Sequence, residues 1–183
     1  PGIEADWTRS LGFEVRLSEL RSGGPAEIRR HLETLVVVSG NQKLVASLYA
    51  IIYELLTNAL TALYGRVYPE DSPESFRQAL ASGGLDEAAA RCRQQGLEIT
   101  ITGVVRESRL FLEVSNPFTP EPEDWQRIYT SLYNAKHISD LGYIFEDRMD
   151  RNESGGFGLG FPLIALSLRG MGLSLDDFAL VSQ

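Results

Sequence analysis

Two patches of this sequence carry residue types that could hold a phosphorylated ligand. One is Gly155-Gly156-Phe157-Gly158-Leu159-Gly160, four glycines in six residues, directly ahead of an apolar stretch from Phe161 to Leu168. Backbone N–H groups in such a loop can approach an anion with no side chains in the way. A helix starting there adds its positive N-terminal end to the same spot. No Gly-Lys-Ser/Thr follows, so the loop is not a Walker P-loop. The other patch is Glu54 and Asn58, one helical turn apart, with Thr61 on the same face. The Asn58 side-chain oxygen is a hard ligand of the kind Mg²⁺ prefers, and Mg²⁺ usually bridges to phosphates. Glu54 could orient or deprotonate a water or hydroxyl beside a terminal phosphate. Taken separately, the loop also reads as a turn before a core helix, and the polar stripe as a solvated face.

The elements that must position these residues follow from hydrophobic period. Phe13, Val15 and Leu17 alternate with Glu14, Arg16 and Ser18, a short half-buried strand. Pro25 is placed to open a helix over Ala26 to Val37, with Ile28, Leu32, Leu35 and Val36 on one side. Residues 42–64 form the strongest helix, apolar around most of its circumference except for the stripe at Ser47, Glu54, Asn58 and Thr61. Residues 74–95 read as one or two surface helices broken at Gly83-Gly84. Two alternating runs, Leu97 to Thr102 and Leu110 to Ser115, predict a hairpin turning near Arg106-Glu107-Ser108. Asn116-Pro117 stops its second strand; short helices over 123–134 and 138–149 follow. After the glycine loop and its helix, Gly170 and Gly172 end the helix, and Leu173 to Leu175 reads as a strand.

The 183 residues are one domain's worth, and 43% hydrophobic residues suffice for an ordinary core. Seventeen Lys and Arg against 25 Asp and Glu give a net charge of −8, which argues against nucleic acid as the main partner. Cys92 is the sole cysteine and His31 and His137 the two histidines, excluding an internal disulfide and disfavouring a zinc enzyme. His31 sits in a charged patch on an ordinary helix and reads as a surface side chain. Trp125, Tyr129 and Tyr133, at spacings of four, read as packing inside a lid. The longest apolar stretches, such as Leu48 to Leu56 interrupted by Glu54, fall short of the ~20 residues of a membrane span, so no membrane partner is expected. The chain opens on Pro1-Gly2 without Met, as an excised fragment would, and a cytoplasmic setting is the default expectation.

Glu54-Leu55-Leu56-Thr57-Asn58-Ala59 resembles the N-box of the GHKL superfamily of histidine kinases, anti-sigma kinases and Hsp90-like, gyrase-like and MutL-like ATPases. Gly156-Phe157-Gly158-Leu159-Gly160 resembles its second glycine box, and the order of N-box helix, hairpin, lid, glycine box and helix is similar over about residues 43–175. The resemblance implies an α/β fold, an α+β two-layer sandwich of Bergerat type. Its sheet would be mixed and largely antiparallel, with helices on one face and a variable ATP lid. Residues 1–40 would be an N-terminal strand and helix packing on or leading into an ATP-binding domain at 41–183. Within that domain, 66–96 would be a helical insertion and 117–154 the lid. It further implies ATP and Mg²⁺ as cofactors. Asn58 would hold the metal and Glu54 would be the catalytic polarising or general-base residue. Gly156, Phe157, Gly158, Leu159 and Gly160 would line the triphosphate, and Lys136, Arg148 or Arg151 of the lid could reach phosphate. Where the family has Asp-x-Gly to accept from the adenine amino group, this sequence has Asn116-Pro117-Phe118, and Asn116 would substitute as acceptor. The implied activity is protein phosphorylation, the terminal phosphate of ATP passing to a regulatory partner protein. The type would be an anti-sigma serine kinase or a histidine kinase catalytic domain. The alternative is a degenerate nucleotide-binding regulatory module without turnover.

Overall fold

The computed structural model describes residues 11–18, 23–39, 44–67, 86–107, 109–137 and 160–179. The elements are β1 (Leu11–Leu17), α1 (Gly24–Ser39), α2 (Leu44–Val67), α3 (Asp86–Gln94), β2 (Ile99–Arg106), β3 (Arg109–Ser115), α4 (Pro122–His137) and α5 (Gly160–Gly170), ending in a 3-10 turn at Leu175–Asp177. The three strands form one antiparallel sheet in the order β1-β2-β3, with Val15 opposite Ile101 and Ile101 opposite Val114. The β2–β3 pair is the expected hairpin, and Glu107 takes a positive φ of 49° to close it.

Strand alternation divides the sheet into two unlike faces. Val15, Leu17, Ile99 and Ile101 are buried against Ile28 and Leu32 of α1 and Ile52, Leu56, Leu60 and Leu63 of α2, in one core that also takes Ala88 and Cys92 of α3. The opposite face presents Glu14, Arg16, Phe111 and Glu113 to solvent. The result is an α+β arrangement with helices on one side of a small sheet. The leading strand and α1 are built into this core: Tyr64 of α2, almost fully buried, donates its hydroxyl to the Ser18 carbonyl at 2.8 Å. Phe13 lies across Gly103, where a Cβ would come within 2.3 Å of the ring, and His31 stacks on it at 4.8 Å. His31 also faces Glu27 at 3.7 Å, so the imidazole is a packing and pairing group here.

Several expectations are corrected. At 24 residues, α2 is long and apolar enough to cross a membrane by length and composition, and Glu54 does not interrupt it. In this fold it is the central helix, its apolar side closing the core under the sheet. Leu173 to Leu175 is not a strand. Ser174 caps the 3-10 turn, accepting from the Asp176 N–H while the Asp177 carboxylate accepts from the Ser174 N–H, and this local capping box competes with extended backbone. Of the expected lid, 117–137 is described. α4 buries Ala135 and packs along α5, and Arg169 of α5 donates to the Lys136 carbonyl at 2.6 Å. Trp125 stacks on Tyr129 at 5.5 Å, but Tyr129 and Tyr133 are 62% and 69% exposed rather than packed away. The second expected lid helix, 138–149, the segment 68–85 with Gly83-Gly84, and Arg148 and Arg151 lie outside the described residues.

Candidate functional site

The site is built where α5 begins. Ile51 and Leu55 of α2 meet Ile164 and Leu168 of α5 in a second apolar cluster, joined by Phe161 and by Phe178, whose rings meet edge to face at 6.2 Å. Continuing along α2, Glu54 and Asn58 fall beside that seam because three and seven residues after Ile51 return to the same flank of a helix. They therefore face the first turn of α5. A Cβ on Gly160 would stand 2.5 Å from the Glu54 Oε1 and 3.0 Å from the Asn58 Nδ2. Gly160 thus makes a close approach to the polar stripe, and its bare backbone leaves the ends of those two side chains undisturbed.

The electrostatics of this contact are specific. The first turn of α5 has N–H groups without partners inside the helix, and the positive end of the helix dipole. The half-buried Glu54 carboxylate sits against it, while Asn58 is exposed. An anionic phosphate brought to the same helix end meets the Glu54 charge as well, so its binding there calls for a cation between them. Asn58 supplies a neutral, hard oxygen donor beside the carboxylate, which suits Mg²⁺ held by one or two protein groups and completed by phosphate and water. Among the described residues no cluster of three or more His, Cys, Asp or Glu could hold a metal unaided. Thr61 lies on the stripe, but its hydroxyl donates to the Thr57 carbonyl at 2.8 Å, inside its own helix.

Asn116 stands at the end of β3 and reaches the same helix from the sheet side. Its Nδ2 donates to the Ala59 carbonyl at 3.2 Å, and its Oδ1 accepts the Phe118 N–H at 3.2 Å, closing an Asx-turn. One hydrogen and one lone pair of the carboxamide are thereby used for holding the chain, leaving one of each. Beyond the turn, Arg66 at the end of α2 pairs with Glu121 at 2.7 Å and lies 5.7 Å from the centre of the Phe118 ring. Sequence reasoning does not single out Arg66; a cation in a helix's last turn is favoured by the dipole alone and gives no distinguishing signal.

Lys136 is not brought to this place. Its ammonium faces Asp176 at 3.6 Å, beside the C-terminal turn of α5. That end is about 15 Å along the helix from Gly160, a separation that helix packing of α4 imposes and spacing along the chain does not reveal. Gly156, Phe157, Gly158, Leu159 and Arg151 lie outside the described residues. A shallow trough of about 650 Å³ lined by Gly12, Glu14, Thr102, Val104, Arg106 and Phe111 sits on the open face of the sheet, away from α2.

An uncharacterized protein of Treponema pallidum (strain Nichols) is 26% identical to this chain over 163 residues, covering 82% of this chain. The match spans 31% of the Treponema protein, so the chain corresponds to about a third of that relative's length. No family model matches the chain, and no solved structure matches it.

Proposed function

We propose that this domain binds an adenine nucleotide with Mg²⁺ at the junction of α2 and α5, in the manner of GHKL-type ATP-binding domains. In this reading it transfers the terminal phosphate to a regulatory partner protein. One observation supports it: a side chain at Gly160, the last glycine of the loop, would run into both Glu54 and Asn58. Gly160, the described end of the glycine patch, thus lies beside two polar residues about a hundred positions earlier in the sequence.

Asn58 would hold the metal, which supplies charge neutralisation of the phosphates when bound. The α5 N-terminus and the glycine backbone ahead of it bind and orient the phosphate chain. Glu54 accepts the proton of the attacking hydroxyl; phosphoryl transfer asks for positioning and electrostatics above all, and a single placed carboxylate is enough for that role. A chain of net charge −8 also favours a protein partner over nucleic acid, and the use of ATP fits a cytoplasmic setting away from membranes.

Calorimetric titration with ATP, with and without Mg²⁺, tests the reading. Binding is expected to need Mg²⁺ and to weaken about tenfold or more in Asn58→Ala, a loss on the scale of one charge-assisted contact. Glu54→Ala is expected to spare binding while lowering phosphate release or transfer. Binding that ignores both Mg²⁺ and Asn58 would remove the site.

The degenerate-module reading has its own supporting observation, the engagement of Asn116 by Ala59 and Phe118. It predicts nucleotide binding with no hydrolysis above that of the Glu54→Ala variant, so the same two assays separate the readings.

A further inference from the structure

Among the described residues, β1 has a strand neighbour on one side only. Exposed strand edges are usually blunted by proline, a bulge, an inward-pointing charge or shortness, because their unpaired N–H and C=O groups recruit other strands. β1 has none of these devices; of the edge-blunting features it carries only the exposed charges Glu14 and Arg16. It is seven residues long, Leu-Gly-Phe-Glu-Val-Arg-Leu, and pairs with β2 in unbroken register from Leu11 to Leu17.

The strand is also complementary to itself. Pairing it antiparallel with a second copy about Val15 sets Glu14 opposite the partner's Arg16, and Arg16 opposite the partner's Glu14. On the inner face the same register sets Phe13 opposite the partner's Leu17, and Val15 opposite its own copy. Moving the axis by one residue to Glu14 or Arg16 brings like charges face to face, which is unfavourable directly across a strand pair. β3, the other edge, has a looser form of this property: about Phe111 it would set Arg109 opposite the partner's Glu113, but the axis then falls on an exposed ring, whereas β1 places the buried Val15 there. Glu14 and Arg16 are exposed and, within one copy, pair with each other at 2.8 Å, two residues apart on the open face.

We propose that β1 is a homodimer interface, two copies of this chain joining their sheets edge to edge into one six-stranded antiparallel sheet with all helices on one face. The two-fold axis runs through Val15, and the dimer is independent of any nucleotide. Isologous pairing of this kind closes on itself and stops at two copies.

Sedimentation equilibrium of the full chain over a wide concentration range tests the proposal. The wild-type protein is expected to show a monomer–dimer equilibrium. Glu14→Arg and Arg16→Glu should each weaken it about tenfold or more, because both cross-strand pairs turn repulsive. The double variant Glu14→Arg/Arg16→Glu should restore it, since the reversed charges are again complementary. Both positions are solvent-exposed, and rescue by the double variant excludes loss of fold as the cause. A wild-type chain that stays monomeric at high concentration overturns the proposal. So does a dimer indifferent to the single reversals, or one that the double variant fails to restore.

Discussion

Gly160 is the glycine of its loop that the described residues include. Adding one methyl group there intrudes on the far end of the Glu54 side chain and on the Asn58 amide, not on backbone. Such atoms can swing aside at little cost, and alanine is itself the better helix former. Gly160→Ala is therefore expected to leave thermal stability within about 1 kcal/mol of wild type. The displaced Glu54 and Asn58 no longer frame the helix end, so Mg²⁺-dependent nucleotide binding should fall by at least the margin expected for Asn58→Ala. Paired thermal melts and titrations check this; a stable variant that binds normally would separate Gly160 from the site. Glu54, Asn58 and Gly160 stood out in sequence as residue types at set spacings. Their contact was not legible, because it depends on how the Ile51–Ile164 seam aligns two helices.

At the scale of elements, the junction between β3 and α2 turns on Asn116. In the resembling family an aspartate occupies this place, yet here a carboxylate would be ill suited to the structure. A carboxylate oxygen could still accept from the Phe118 N–H, but an ionised side chain has no hydrogen for the Ala59 carbonyl and would set two acceptors against each other. Asn116→Asp is expected to cost about 1–2 kcal/mol, read as a drop of several degrees in melting temperature. A melt unchanged from wild type would show that the bond to Ala59 contributes nothing. The long helix α2, the hairpin and β1 were readable because their periods run for many residues with apolar positions on one side. The Asx-turn at 116–118 was readable only as a stop signal, since a side chain reaching 57 residues back leaves no local trace. Leu173 to Leu175 failed for the complementary reason: three residues give no period, and the Ser174 cap decides the conformation. The place of Lys136 beside Asp176 was not readable, because a lysine in a stretch expected to be a lid carries no mark of which end of α5 it will meet.

Across the whole molecule, the core that joins sheet and helices also contains two groups that ionise only at high pH. Cys92 of α3 is fully buried beneath the sheet, and this burial raises its pKa above the ordinary 9.0, with Arg93 acting weakly the other way. Tyr49 of α2 is raised above 10.0, first by burial and then by neighbouring Tyr53, with Arg29 opposing. In both, the folded chain holds its proton more tightly than the unfolded chain does. Their contribution to stability is therefore complete below the unfolded values and is lost as pH climbs through the folded ones. Melting temperature should be level from neutrality to about pH 8.5, where an unfolded cysteine begins to ionise, and should then decline through about pH 10 and above, as unfolded tyrosine follows. Cys92→Ala should flatten the first part of that decline while lowering stability at all pH values through the small void it leaves. The same burial keeps the thiolate from forming in the folded state, so alkylation of Cys92 at about pH 8 should follow the rate of opening of the core rather than the reagent's intrinsic rate. Alkylation in native buffer as fast as in denaturant would mean that α3 is not seated on the sheet, and with it the core that holds α2 in place for the site would be in error.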